Sequence, residues 1–111
     1  MRHLEAVLTD ITKSAQSIAG KELYKMYLYG SCARKTDNED SDIDVMIIID
    51  NDDQDKYADA IDAATGRICV DQEVLLSVQI TSVKDWLAKQ SYLPYYQNII
   101  NEGVVLYDRA G

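Results

Sequence analysis

Tyr29-Gly30-Ser31-Cys32-Ala33-Arg34, followed five residues later by Asp40-Ser41-Asp42-Ile43-Asp44-Val45, is the stretch on which the fold turns. The residues leading into it, Leu23-Tyr24-Lys25-Met26-Tyr27-Leu28-Tyr29, are aromatic and apolar, which predicts a strand ending at Gly30-Ser31. Ser31 is a natural N-cap for one helical turn over residues 32–35, and the polar, acidic residues 36–41 read as a loop. Asp42 then opens a second strand over residues 42–49. Its run Val45-Met46-Ile47-Ile48-Ile49 is apolar on both faces, as in a central strand covered on both sides.

Working outward, Leu4, Val7, Leu8, Ile11, Ala15 and Ile18 recur at helical spacing and predict a helix over residues 2–19, closed by Gly20. Downstream, residues 52–66 read as a helix with Tyr57, Ala60, Ile61 and Ala64 on one face. Residues 73–80 read as a third strand carrying Val74, Leu75, Leu76, Val78 and Ile80. Thr81 or Ser82 caps a helix through Val83, Trp86 and Leu87. Pro94 starts another that Gly103 ends, and residues 104–107 form a last short strand. The order α-β-α-β-α-β-α-α-β predicts an α/β or α+β domain: a small mixed sheet with helices packed on it, spanning residues 1–111 as one unit.

The bulk properties narrow the function. Net charge is -8, from 19 acids against 11 bases. Such a surface repels nucleic acid, whose binding needs Lys and Arg to neutralise phosphates. It accepts a nucleotide carried as a metal complex, and it suits a basic protein partner. No secretory apolar region opens the chain and no apolar run reaches membrane-spanning length, which predicts a cytoplasmic protein without a membrane partner. Cys32 and Cys69 are then reduced thiols. The only histidine, His3, lies near the terminus, which removes a His-based metal site or a Ser-His-Asp triad from consideration.

The chemistry sits in the opening stretch. On a strand, residues i and i+2 share a face, so the Asp42 and Asp44 carboxylates converge beside the sheet. Their mutual repulsion calls for a cation between them, and hard oxygen ligands favour Mg²⁺ or Mn²⁺. Gly30 allows close backbone approach to a phosphate. The helix start with the Ser31 hydroxyl can hold phosphate oxygens, and Arg34 lies a turn further on. A phosphate grip beside a metal site is what phosphoryl or nucleotidyl transfer requires. A third carboxylate would complete a two-metal site. Asp71 and Glu73, near the start of the third strand, are the candidates.

Competing motifs fail on particular residues. An EF-hand loop starting at Asp40 would need Gly at Val45 and Glu at Asn51. A nucleophile elbow around Ser31 would need glycines at Tyr29 and Ala33. The Gly-Lys-Ser/Thr of a Walker loop is missing.

Tyr29 to Arg34 together with Asp40 to Val45 resembles the Gly-Ser-x10-Asp-x-Asp signature of the polymerase-beta-like nucleotidyltransferase superfamily. More narrowly it is similar to the minimal nucleotidyltransferase (MNT) group. Leu93-Pro94-Tyr95-Tyr96-Gln97-Asn98 and Glu102-Gly103-Val104-Val105-Leu106-Tyr107 also resemble the tails of those small proteins. The resemblance implies that Asp42 and Asp44 are the metal ligands and that Gly30 and Ser31, with Arg34, bind the triphosphate of ATP. It implies Glu73 as the third catalytic and metal-binding acid, with Asp71 as its alternative. It further implies an antitoxin that pairs with a HEPN-domain toxin and transfers AMP from ATP to the toxin, or that neutralises it by occlusion alone. The cluster Tyr92, Tyr95, Tyr96, Trp86 and Leu93 is expected to pack the C-terminal helices on the sheet, with a partner-binding patch as the other reading.

Overall fold

A computed structural model describes residues 4–30, 33 and 42–111. Helix α1 (Leu4–Ala19) leads through a 3₁₀ turn (Gly20–Glu22) into β1 (Leu23–Tyr29); β2 (Ile43–Ile49), α2 (Ala58–Gln72), β3 (Leu76–Ser82), α3 (Val83–Lys89), α4 (Pro94–Glu102) and β4 (Val104–Asp108) follow. The strands form one sheet in the order β3-β2-β1-β4. β1 pairs antiparallel with both β2 and β4, while β2 and β3 run parallel. The mixed sheet and packed helices agree with the α+β expectation.

β2 is central, as its continuous apolar run required. Its residues Ile43, Val45, Ile47 and Ile49 face Val7, Ile11 and Ala15 of α1 and Ile61 and Ile68 of α2 in one buried cluster. Its alternate residues Met46 and Ile48 lie with Tyr27, Trp86, Tyr96 and Ile99 in a second cluster on the other face. Burying one such side chain contributes about 1.5–3 kcal/mol. A half-exposed ion pair such as Arg67 to Asp10, at 2.9 Å between α2 and α1, contributes about 0–1 kcal/mol. Apolar burial on β2 therefore outweighs surface electrostatics in holding the three layers together.

The C-terminal helices are fixed by polar contacts inside the second cluster. Ser82 caps α3 by accepting from the Asp85 amide at 3.0 Å. The buried Thr81 hydroxyl lies 3.0 Å from the Tyr96 hydroxyl, and Tyr96 donates to Asp85 at 2.9 Å. Gly103 ends α4 where a Cβ would meet the Ile99 carbonyl at 2.3 Å and the Leu28 carbonyl at 3.1 Å, so only glycine lets the chain turn into β4 there.

Both ends of α2 and the start of β3 differ from the sequence reading. α2 begins at Ala58 and not at 52. The Asn51 and Asp53 side chains accept from the amides of Asp53 and Asp55 at 2.9 and 3.1 Å, making local turns that compete with a helix. Glu22 also gathers Asn51 at 2.6 Å, Lys56 at 3.1 Å and the Tyr57 hydroxyl. At its other end α2 passes through Gly66 to Gln72, because Ile68 buries two turns beyond Ile61 on the same face. The helix stops at Glu73, which takes a left-handed conformation, φ 53° and ψ 50°. β3 consequently starts at Leu76 and not at 73. Asp71 is in the last turn of α2, 3.8 Å from Arg67, so neither Asp71 nor Glu73 lies on a strand.

A left-handed non-glycine residue costs about 1–2 kcal/mol, which glycine avoids. Glu73→Gly should therefore raise thermal stability by about 1 kcal/mol, a Tm increase of about 4–8 °C in a domain of this size, read by calorimetry. A lower Tm would mean that the Glu73 side chain itself stabilises the fold. A second expectation concerns acid. The Tyr57 hydroxyl, then Asn51 and Lys56, pull the Glu22 carboxyl down from 4.5 to about 2. A carboxylate with a depressed folded pKa stabilises the fold above its unfolded pKa, and that contribution is lost as pH falls through the folded value. Glu22→Gln should thus lose less stability than the parent between pH 4.5 and about 2. Equal losses in denaturant titrations would show that Glu22 is not coupled to folding.

Candidate active site at the Gly30 and Asp44 junction

The end of β1 and the start of β2 meet because the strands are antiparallel: Tyr29 stands opposite Asp44. Gly30 follows with φ 76°, a conformation that L side chains rarely adopt. A Cβ on Gly30 would lie 2.6 Å from Oδ2 of Asp44. The glycine is thus required twice, by its backbone angle and by the carboxylate against which its Cα rests. The two halves of the sequence motif are one contact.

Asp42 is exposed and immediately precedes β2, two residues before the half-buried Asp44. Burial, and then the negative charge of Asp42, hold the Asp44 carboxyl above its ordinary range. Both effects penalise the ionised form, and a cation between the two carboxylates would relieve both. The donor set suits Mg²⁺, which is commonly held by one or two carboxylates with substrate phosphates and water filling the other positions. Ser31 and Arg34, the remaining phosphate-binding candidates, lie outside the described residues, as do the expected loop of residues 36–41 and, apart from Ala33, the expected helical turn of residues 32–35.

The expected third acid is placed differently. Glu73 caps α2 three residues before β3, at the sheet end where β2 also begins. Asp71 is turned into the ion pair with Arg67. Both residues thus lie at a helix end and not at the strand start where the sequence reading put them. The β3 residue in register with Asp44 is Ser77, on the same face by the parallel pairing. Among the described residues, no three His, Cys, Asp or Glu side chains gather as a metal-binding group.

An aromatic wall borders the carboxylates on the same face. The Tyr29 and Tyr95 hydroxyls are 2.7 Å apart, and the rings meet edge to face with centroids at 5.8 Å. Burial, the Tyr95 hydroxyl and the Asp44 charge push the Tyr29 phenol well above its usual range, so it stays protonated. The tyrosine cluster therefore divides. Tyr96 and Trp86 are buried as expected for packing, while Tyr95 is 43% and Tyr92 65% exposed. Tyr29, Ser77 and Tyr95 were not singled out from the sequence as residues of the carboxylate site. Only Tyr29 carried a signal, its place next to Gly30; the others depend on register and on helix docking.

Cys69 is a free, half-buried thiol whose sulfur accepts from the Leu76 amide at 3.4 Å, packed against the cluster under α1 and α2. No helix among the described residues is long and apolar enough to cross a membrane.

Comparison with known proteins places the fold in a family. Residues 10–110 match the family model described as polymerase beta, nucleotidyltransferase. No curated protein matches the sequence. Among solved structures, a toxin-antitoxin crystallised with AMP-PNP superimposes at TM-score 0.61 with 14% identity, over 91% of this chain and 73% of that one. A double aspartate-to-glutamate variant of the toxin-antitoxin MntA-HpeT gives the same values. A tyrosine-to-alanine variant of that assembly gives TM-score 0.59 and 17% identity, over 90% and 71%. At such identities the likeness speaks for the fold. With a family model matching residues 10–110, the chain belongs to the polymerase beta nucleotidyltransferase family.

Proposed function

We propose that the chain is a metal-dependent nucleotidyltransferase of the toxin-antitoxin type, acting in the cytoplasm, that binds Mg-ATP and transfers AMP to a hydroxyl of a HEPN-type toxin. The observation that carries the nucleotide reading is the Gly30 Cα resting against the Asp44 carboxylate. This contact sets the glycine at the end of β1 beside an acid whose charge is already disfavoured by burial and by Asp42. The similarly folded toxin-antitoxin solved with AMP-PNP supports both the nucleotide and the partner. The acidic charge of -8 supports a protein acceptor over nucleic acid.

In this reading Asp42 and Asp44 hold the metal, and the Gly30 turn with Ser31 and Arg34 holds the β- and γ-phosphates. A bound Mg²⁺ would neutralise the triphosphate and make its α-phosphorus more electrophilic. The acceptor hydroxyl oxygen forms the new bond to the α-phosphorus. The bond to the bridging oxygen breaks, pyrophosphate leaves, and the hydroxyl proton passes to water. Glu73 remains a proposed third ligand only if its side chain reaches back from the α2 terminus.

Ser77 favours a second reading. With a serine beside Asp44 where a carboxylate would complete a two-metal site, the domain would bind nucleotide yet neutralise its partner by occlusion. Intact-mass spectrometry of a co-expressed HEPN toxin separates the two. Transfer predicts a mass gain of one AMP group that disappears with Asp44→Asn, the variant keeping its fold by circular dichroism. An unmodified toxin, still neutralised, supports occlusion, and Ser77→Asp should then bring modification in. Gly30→Ala should also abolish modification. It adds about 1–2 kcal/mol of backbone strain and forces the Asp44 carboxylate to move. Full labelling by that variant would place the site elsewhere.

A further inference from the structure

Tyr29 and Asp44 are cross-strand neighbours on one face of the sheet. The opposite face is covered by α1 and α2. A nucleotide whose phosphates lie at Asp42 and Asp44 must therefore lay its nucleoside along the Tyr29 face or leave it in water. On that face the next surface is the ring of Tyr95. Its position is fixed on several sides. Its hydroxyl is 2.7 Å from that of Tyr29, and its ring contacts Tyr29 at 5.8 Å and Tyr96 at 5.8 Å. Tyr96 in turn is anchored by Trp86 at 4.7 Å and by its bonds to Thr81 and Asp85. Yet Tyr95 remains 43% exposed. An aromatic ring held this firmly and left partly uncovered presents a preorganised π surface. The entropy of ordering it is already lost before anything binds.

We propose that Tyr95 is the stacking platform for the nucleobase of the bound nucleotide, an inference that rests on the nucleotide reading above. Flat stacking tolerates any base, because every base has a π face. The platform would therefore add affinity for a nucleoside over bare phosphate and discriminate little between ATP and GTP. Tyr29 underlies that ring through the edge-to-face contact at 5.8 Å.

Isothermal titration of the whole chain with Mg-ATP, Mg-GTP and Mg-tripolyphosphate tests this. The parent should bind both nucleotides more tightly than tripolyphosphate. Tyr95→Ala should weaken both nucleotides about tenfold, the order expected for one aromatic stack, and leave tripolyphosphate unchanged. Tyr95→Phe, which keeps the ring and loses the hydroxyl bond, should stay within a fewfold of the parent. Unchanged ATP affinity in Tyr95→Ala would overturn the platform and leave Tyr95 as part of a partner surface. Equal parental affinity for ATP and tripolyphosphate would overturn it as well. A parent that binds none of the three ligands removes the nucleotide reading itself, a result distinct from either.

Discussion

The contact between the Gly30 Cα and the Asp44 carboxylate is the constraint on which the rest of the site depends. It exists because β1 and β2 are antiparallel neighbours with Tyr29 opposite Asp44. Gly30 at φ 76° can let the chain leave β1 there without a side chain in the way. Moving the register by one residue would send Asp44 to the α1 and α2 face and bring a buried isoleucine out, because side chains alternate along a strand. The apolar burial on both faces of β2 opposes that slip. The packing that stabilises the fold and the placement of the acids are thus one requirement.

That requirement also explains the electrostatic condition of the site. Asp44 is kept half-buried by the strand on which it sits, and the charge of Asp42 stands two residues before it. Each raises the cost of charging Asp44, and the fold carries that cost because burial elsewhere on β2 is larger. A divalent cation between the two carboxylates would remove that penalty. The net charge of -8 adds a general repulsion toward polyanions.

The second cluster gives the site its far wall. Tyr96, Trp86, Thr81 and Asp85 form a closed polar and aromatic network that docks α3 and α4 on the sheet. This network leaves Tyr95 standing at the edge of the carboxylates. Exposed Tyr95 and buried Tyr96 are consecutive in the first turn of α4, which is why one sequence cluster serves both packing and surface.

The order of elements, the central position of β2 and the pairing of Gly30 with the Asp42 and Asp44 acids were legible in the sequence. Each rests on local information: apolar periodicity, a glycine at a strand end, and carboxylates two residues apart. The start of α2 and the position of Glu73 were not. Side chains of Asn51 and Asp53 captured backbone amides that a helix would have used. Ile68 extended the apolar face past Gly66, so residues that looked like a strand start became a helix end. Nor could the sequence place Ser77 beside Asp44 or Tyr95 beside Tyr29. Those neighbours are 33 and 66 residues apart, and only strand register and helix docking bring them together. Local chemistry determined which residues could hold metal and phosphate; the tertiary structure decided what stands next to them.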